Sequence, residues 1–470
     1  MPLPSQHIAR ARRLAWLVLL LTWLALPLAA QTVRWQKTYG LTYGSGTSTY
    51  ASNDITAALA TPGGGFLLTG TTYQNSTGTA PGNYGLVVKV NASGNVLWQN
   101  TFGLTNAVKS AVATPDGGFL IAGTTTQNIP GTMRTGSYGL VVKVNASGNV
   151  LWQTTFGLTY EYYGTAASNA VKAAVATPDG GFLIAGTSVQ NTPSSNPNYS
   201  YTGTYGLVVK VDASGNVRSQ QTCGLTYTLP TYSSPIYGSG TTTFAANDFT
   251  AAIATPDGGF LLTGTTATKG HITSSPSPYD KDTYGLVVKV DANGNVLWQK
   301  SCGLTYTLTN AYGTTTYANN AVKAAVATSD GGFLLAGNAY QNISGTTSTG
   351  NYGLVVKVDA SGNVLSQQTS GLTYTSGSYT SSQNYLSVAV ATPDGGFLLA
   401  GYTIQNLPGS NNSGSYGLVV KVDADGNVLS QQTHGLTYTT SDGTRASNNL
   451  SAAVATPDGG FLLAGNTYQI

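Results

Sequence analysis

The chain has 470 residues, of which 59 are Gly and only 8% are charged, and Tyr (29) far outnumbers Phe (11) and Trp (6). This composition excludes a helical bundle or coiled coil, which draws on Glu, Lys, Leu and Ala, and a hydrophobic share of 41% excludes a disordered chain. The formal charge of +3 belongs to the first thirty residues: without Arg10, Arg12 and Arg13, 17 Lys and Arg face 17 Asp and Glu, which removes the electrostatic case for a nucleic-acid or anionic-membrane partner.

The first predicted element is a secretory signal over 1–30. Three arginines precede an apolar run from Leu14 to Leu28 that ends in Leu28-Ala29-Ala30, with cleavage expected before Gln31. The run is shorter than the roughly 20 apolar residues of a membrane-spanning helix. After the signal, Val33-Arg34-Trp35-Gln36 matches the end of a unit that recurs along the chain.

Two strings define that unit. ATPDGGFLLAG and its variants occur seven times, with Phe66, Phe119, Phe182, Phe260, Phe333, Phe397 and Phe461 at spacings of 53 to 78 residues. YGLVVKV occurs six times, from Tyr84, Tyr138, Tyr205, Tyr284, Tyr352 and Tyr416, each copy followed by a DASGN-type turn and NVLWQ, NVRSQ or NVLSQ. Each full unit reads as four strands: an Ala-rich one, FLLAG, GLVVKV and NVLWQ, short runs of Val, Leu, Phe and Thr bounded by Gly, Pro, Asp and Asn. In Thr177-Pro178-Asp179-Gly180-Gly181, Pro presets the first central residue of a type I turn and Gly takes the left-handed position, closing a hairpin between the first two strands. Asp291 to Asn295 does the same for the third and fourth, with Gly294 as the positive-φ residue.

Four-stranded units at this spacing predict an all-β fold, a seven-bladed β-propeller over 31–470. A β-solenoid is the competitor, with shorter and more uniform coils. The last blade is expected to lack one strand, its third, and residues 33–38 to close the ring as its outer strand.

The repeats resemble those of secreted bacterial propeller proteins of the Bacteroidetes type, most of which have no assigned activity. The third strand, turn and fourth strand also resemble the tryptophan-docking repeats of quinoprotein propellers, with Trp35, Trp98, Trp152 and Trp298 in the docking place and Ser219, Ser366 and Ser430 replacing it elsewhere. The resemblance implies that the Ala-rich strand is innermost. It carries no cofactor with it.

A meander puts the TPDGG and DASGN turns on one face and the long connections on the other. Those connections are rich in Tyr, Thr, Ser, Asn and Gly, as around Tyr160, Tyr162 and Tyr163 and from Tyr232 to Tyr237, a chemistry suited either to binding or to packing a solvated rim. Nine residues before each TPDGG proline, or Ser329, stands an Asn: Asn53, Asn106, Asn169, Asn247, Asn320, Asn384 and Asn448. These amides either line a polar ligand site around the axial channel or make local bonds that shape each loop. A second recurrent residue is the Tyr of Gly-Leu-Thr-Tyr, at Tyr43, Tyr160, Tyr227, Tyr306, Tyr374 and Tyr438, expected to pack the rim.

Catalytic patterns are sparse. Apart from turn residues the acids are Asp54, Glu161, Asp248, Asp280, Asp282 and Asp442, and after the signal the histidines are His271 and His434. No HExxH, Cys-x-x-Cys, GxSxG or P-loop occurs. Asp423-Ala424-Asp425-Gly426-Asn427 superficially resembles a calcium loop but reads as a turn, so neither metal nor cofactor is expected. Cys223 and Cys302 hold the same place in successive blades, too far apart for a disulfide, and read as small apolar fillers. The expectation is a monomeric, non-enzymatic propeller that binds a polysaccharide or protein surface, cell-surface, secreted or periplasmic and not inserted in a membrane. The alternatives are a polysaccharide lyase or glycosidase using Asp54, Asp248, Glu161 or His271, and a structural surface protein.

Overall fold

The computed structural model describes residues 35–470 except 46–47, 75–81, 103–107, 162–163, 193–200, 235–237, 270–280, 311–312, 347, 377–378, 408–411, 441–442 and 469–470. Two compact units divide the chain at Thr38 and Tyr39. In the first, the described residues Trp35 to Thr38 carry no strand, and Lys37 Nζ lies 6.0 Å from the Trp35 ring centroid. The signal segment and Val33 and Arg34 fall outside the described residues.

The second unit is a β-propeller built of six four-stranded antiparallel sheets. The third blade is representative: Asn169–Ala176, Phe182–Thr192, Tyr201–Val211 and Val217–Cys223 follow in spatial order, inner to outer. The turns form as their residues dictate, with Gly180 at φ 80° and Gly294 at φ 90°. Apolar side chains, mostly of the second and third strands, interdigitate between blades. Thus Phe182, Ile184, Val209 and Val211 pack against Leu120, Val141 and Phe156 of the preceding blade.

The complete blades number six, not the expected seven with one strand short. Asn448–Ala455 and Phe461–Thr467 form a seventh sheet of two strands, so it lacks two strands among the described residues. The ring nevertheless closes through inner strands, because Asn448–Ala455 lies beside the first inner strand, Asn53–Thr61. Asn466 Oδ1 accepts from Ile55 N at 2.9 Å, Asn466 Nδ2 donates to Asp54, and the Ser451 hydroxyl donates to Ile55 O.

The long connections hold regular structure that sequence reading left as loops. Six of them fold back as β-hairpins, from Thr42–Ser45 with Ser48–Ala51 to Thr437–Thr440 with Gly443–Ala446. Their alternation of Thr with Tyr, as in Thr305–Asn310, was the available signal. On the opposite face a second feature escaped the sequence. Lys143, Lys210, Lys289 and Lys357, each with a side chain no more than 10% exposed, reach the TPDGG or TSDGG aspartates Asp116, Asp179, Asp257 and Asp330 at 2.7 to 2.9 Å. Lys421 pairs with Asp394 likewise. The first blade has Gly63 in place of this Asp, and its Lys89 Nζ instead reaches Ala146 O at 3.3 Å.

Candidate functional site

The hairpins, the roots that hold them and the ring of inner strands make one continuous face. Each root is an Asn. Asn384 is fully buried; its Oδ1 accepts from Leu372 N at 2.9 Å and its Nδ2 donates to Leu372 O at 2.8 Å, so the amide pairs with the backbone as a neighbouring strand would. The same two bonds recur from Asn53 to Leu41, Asn169 to Leu158, Asn247 to Leu225, Asn320 to Leu304 and Asn448 to Leu436. Five of these amides also donate to the third strand of the preceding blade, as from Asn320 to Thr283 O at 3.2 Å. The hydroxyls of Ser188, Thr266, Thr403 and Thr467 fill the remaining acceptor capacity of four of them. These six Asn are therefore ties within the fold, with their polar atoms already used. Asn106 lies outside the described residues.

Glycine at the start of Gly-Leu-Thr follows from this tie. Gly303 has φ +142°, and a Cβ there would sit 2.5 Å from the Asn320 Cγ. The equivalent Gly371 and Gly435 face Asn384 and Asn448 just as closely.

Above the roots, aromatic rings pack across the hairpins. Tyr306 stacks on its cross-strand partner Tyr317 at 5.7 Å and meets Tyr340 edge-on at 5.1 Å. Tyr227 stacks on Phe244 at 5.4 Å, while Tyr160 opposes Ala166. Tyr162, Tyr163 and Tyr237 lie outside the described residues, and for Tyr232 only the backbone is described, in the strand Thr226–Ser234. Nearer the axis, the rings of Tyr385 and Tyr402 lie 4.6 Å apart and nearly parallel.

The axis is lined by a β-bulge in every inner strand. The extra residues are Thr56, Lys109, Lys172, Thr250, Lys323, Ser387 and Ser451. Every hydroxyl among them ties its strand to the next: Thr56 donates to Val108 O at 2.7 Å, Thr250 to Val322 O at 2.8 Å, Ser387 to Leu450 O at 2.9 Å, and Ser451 to Ile55 O. The lysines occupy positions two, three and five. Lys172 Nζ lies 3.3 Å from Asp248 Oδ1, an ion-pair distance without hydrogen-bond alignment, since that oxygen is otherwise unbonded.

Among the described residues the remaining acids stand on different elements. Asp54 is bound by Asn466, Glu161 accepts from Thr165 at 3.0 Å, and Asp282 accepts from Ala318 N at 2.8 Å. His271, Asp280 and Asp442 lie outside the described residues. Among the described residues no three His, Cys, Asp or Glu converge as metal ligands. In the 423–427 turn, Asp423 Oδ1 accepts from Asp425 N and Asn427 N at 2.9 and 2.8 Å. Cys223 and Cys302 are buried, unbridged thiols, each pushed up to about 12 by burial.

No protein-family profile matches the chain, and no curated protein matches it. Among solved structures it is similar to a protein of unknown function from Bacteroides caccae, at 13% identity over 69% of this chain and 85% of that one, with a TM-score of 0.33. It is also similar to an exo-1,5-alpha-L-arabinanase from a bovine ruminal metagenomic library, at 10% identity over 67% of this chain and 97% of that one, with a TM-score of 0.26. Likenesses this distant carry nothing about activity. No helix among the described residues is long and apolar enough to cross a membrane.

Proposed function

We propose that this chain is a secreted, non-catalytic propeller that recognises a polysaccharide or protein surface with its hairpin face. The observation that carries the reading is the hairpin crown itself: six two-stranded projections, rooted by Asn ties on one face, presenting Tyr and Thr. Tyr offers broad contact at small entropic cost, and its flat ring suits the apolar face of a sugar, while Thr, Ser and Asn match hydroxyl partners. The side chains thus favour the carbohydrate form. Acids that stand on different elements among the described residues support binding rather than hydrolysis, which needs two carboxyls about 5 to 10 Å apart about one bond. The expected form is a monomer, exported by the 1–30 signal and needing no cofactor.

A glycan array on residues 31–470 tests this, beside a variant with Tyr160, Tyr162, Tyr163, Tyr232 and Tyr237 all changed to Ser. Binding by the parent and loss in a folded variant is the expected result. Equal binding by both would remove the hairpins from the site, no binding by either would move the reading to a protein partner, and sugar turnover would replace binding by catalysis.

A further inference from the structure

The inner ring repeats its backbone seven times, but its bulge residues do not repeat. Three consecutive inner strands, Asn384–Ala391, Asn448–Ala455 and Asn53–Thr61, carry Ser387, Ser451 and Thr56, each bonded to the next strand. The other four, Val108–Ala113, Asn169–Ala176, Asn247–Ala254 and Asn320–Ala327, carry Lys109, Lys172, Thr250 and Lys323. An ammonium cannot replace a hydroxyl of that reach, so each lysine gives up the tie that the hydroxyls of Thr56, Thr250, Ser387 and Ser451 make to the next strand. In exchange, three cations stand on one arc of the axis, in a chain whose charge without the signal is otherwise balanced.

The arc contains one acid, Asp248, 3.3 Å from Lys172 and close enough to Lys323 to act on it electrostatically, as Lys172 also does. Burial disfavours the charge of Lys323. Two lysines around one carboxylate leave one positive charge uncompensated, which matches a monoanion better than a phosphate dianion facing Asp248. On the next inner strand round the ring from Lys323, Tyr385 stacks with Tyr402, the aromatic pair of the neighbouring blade.

We propose that this arc binds the carboxylate of an acidic sugar residue, held by Lys172 and Lys323 with the sugar ring toward Tyr385 and Tyr402. The inference rests on the carbohydrate reading above and specifies its ligand as a uronic-acid-bearing chain.

Short oligogalacturonates, neutral galacto-oligosaccharides, free acetate and sulfate are titrated calorimetrically into the protein, and into Lys172→Thr/Lys323→Thr. Thr is the residue Thr250 already provides in the sister position, so the variant should fold, with melting unchanged or raised. Expected are binding of oligogalacturonate over the neutral oligomer, weakening with salt, and a loss of about tenfold to a hundredfold in the variant. Lys323→Met alone serves if the double variant fails to fold. Equal affinity for acidic and neutral oligomers, no oligogalacturonate binding, or unchanged affinity in the variant would each overturn the proposal. Acetate or sulfate binding as tightly as the oligomer would do so too. Neutral binding that the five-Tyr variant abolishes would leave the carbohydrate reading standing while this inference fails.

Discussion

Changing Asp257 to Asn should expose how far the buried lysines depend on their turn aspartates. Lys289 is 4% exposed at its side chain and meets Asp257 at 2.9 Å, while that carboxylate is 60% exposed. Removing one partner of a fully buried pair costs about 3 to 5 kcal/mol, and screening at the exposed carboxylate reduces this to about 1 to 2 kcal/mol. The internal control is Lys357, which meets both Asp330 at 2.9 Å and Asp425 at 3.0 Å. Asp330→Asn therefore leaves that lysine a carboxylate and should cost less than half as much. In a chain of 470 residues, 1 kcal/mol moves the melting temperature by only about 1 °C, so urea unfolding followed by Trp fluorescence is the better assay. Lys289→Met added to Asp257→Asn should recover most of the loss. Equal costs for the two Asp variants, or no recovery with Met, would refute the view that an unpaired buried ammonium is the source.

The same pairs set the acid limit. Lys143 beside Asp116, Lys289 beside Asp257 and Lys421 beside Asp394 hold those carboxyls down to about 2, as the Thr177 hydroxyl and then Lys210 do for Asp179. Folded values below the unfolded ones give stability that is complete above about pH 4 and lost as pH falls toward 2; circular dichroism across that window should show it, and Asp257→Asn should flatten it. Asn384→Ala strands Leu372 N–H and C=O and should cost about 2 to 4 kcal/mol, with proteolysis appearing first in the hairpin from Thr373–Ser376 to Tyr379–Ser382. Gly303→Ala forces a Cβ to 2.5 Å from Asn320 and should lower stability by about 1 to 3 kcal/mol in the same unfolding assay. Both thiols should resist an aromatic disulfide reagent at pH 8 in the native protein and react once it is unfolded, since each is pushed up to about 12.

The repeat made the blades legible. Phe182 and its six counterparts, the TPDGG turns and the GLVVKV strands each point to the same four-stranded unit, because local turn chemistry and strand patterning agree there. The Asn ring was legible as a pattern but not in its role: nine residues of spacing show recurrence, whereas the bond from Asn384 to Leu372 depends on a chain reversal twelve residues away. The partnership of Lys289 with Asp257, 32 residues apart, needs the register of the second and third strands. Counting strands overestimated the last sheet, since FLLAG at Phe461 was read with a fourth strand from 33–38, and the described Trp35 to Thr38 carry none. The lysine arc was least legible. Lys109, Lys172 and Lys323 are unremarkable in sequence, and only closure of the ring sets them on one side of an axis.

The Asn root also separates two design problems that most loop-bearing scaffolds must solve together. Because the amide completes the backbone bonding at the base of each hairpin, the base keeps its form while the hairpin beyond it varies in length, held to the blade only by a few contacts such as Tyr306 on Tyr340 and Asn342 on Thr307. The hairpin from Thr159–Glu161 to Thr165–Ala167 and the much longer one from Thr226–Ser234 to Gly238–Ala245 stand on identical footings. Length can therefore be added or removed at the hairpin tip while the root and the first rungs, which touch the blade, stay the same.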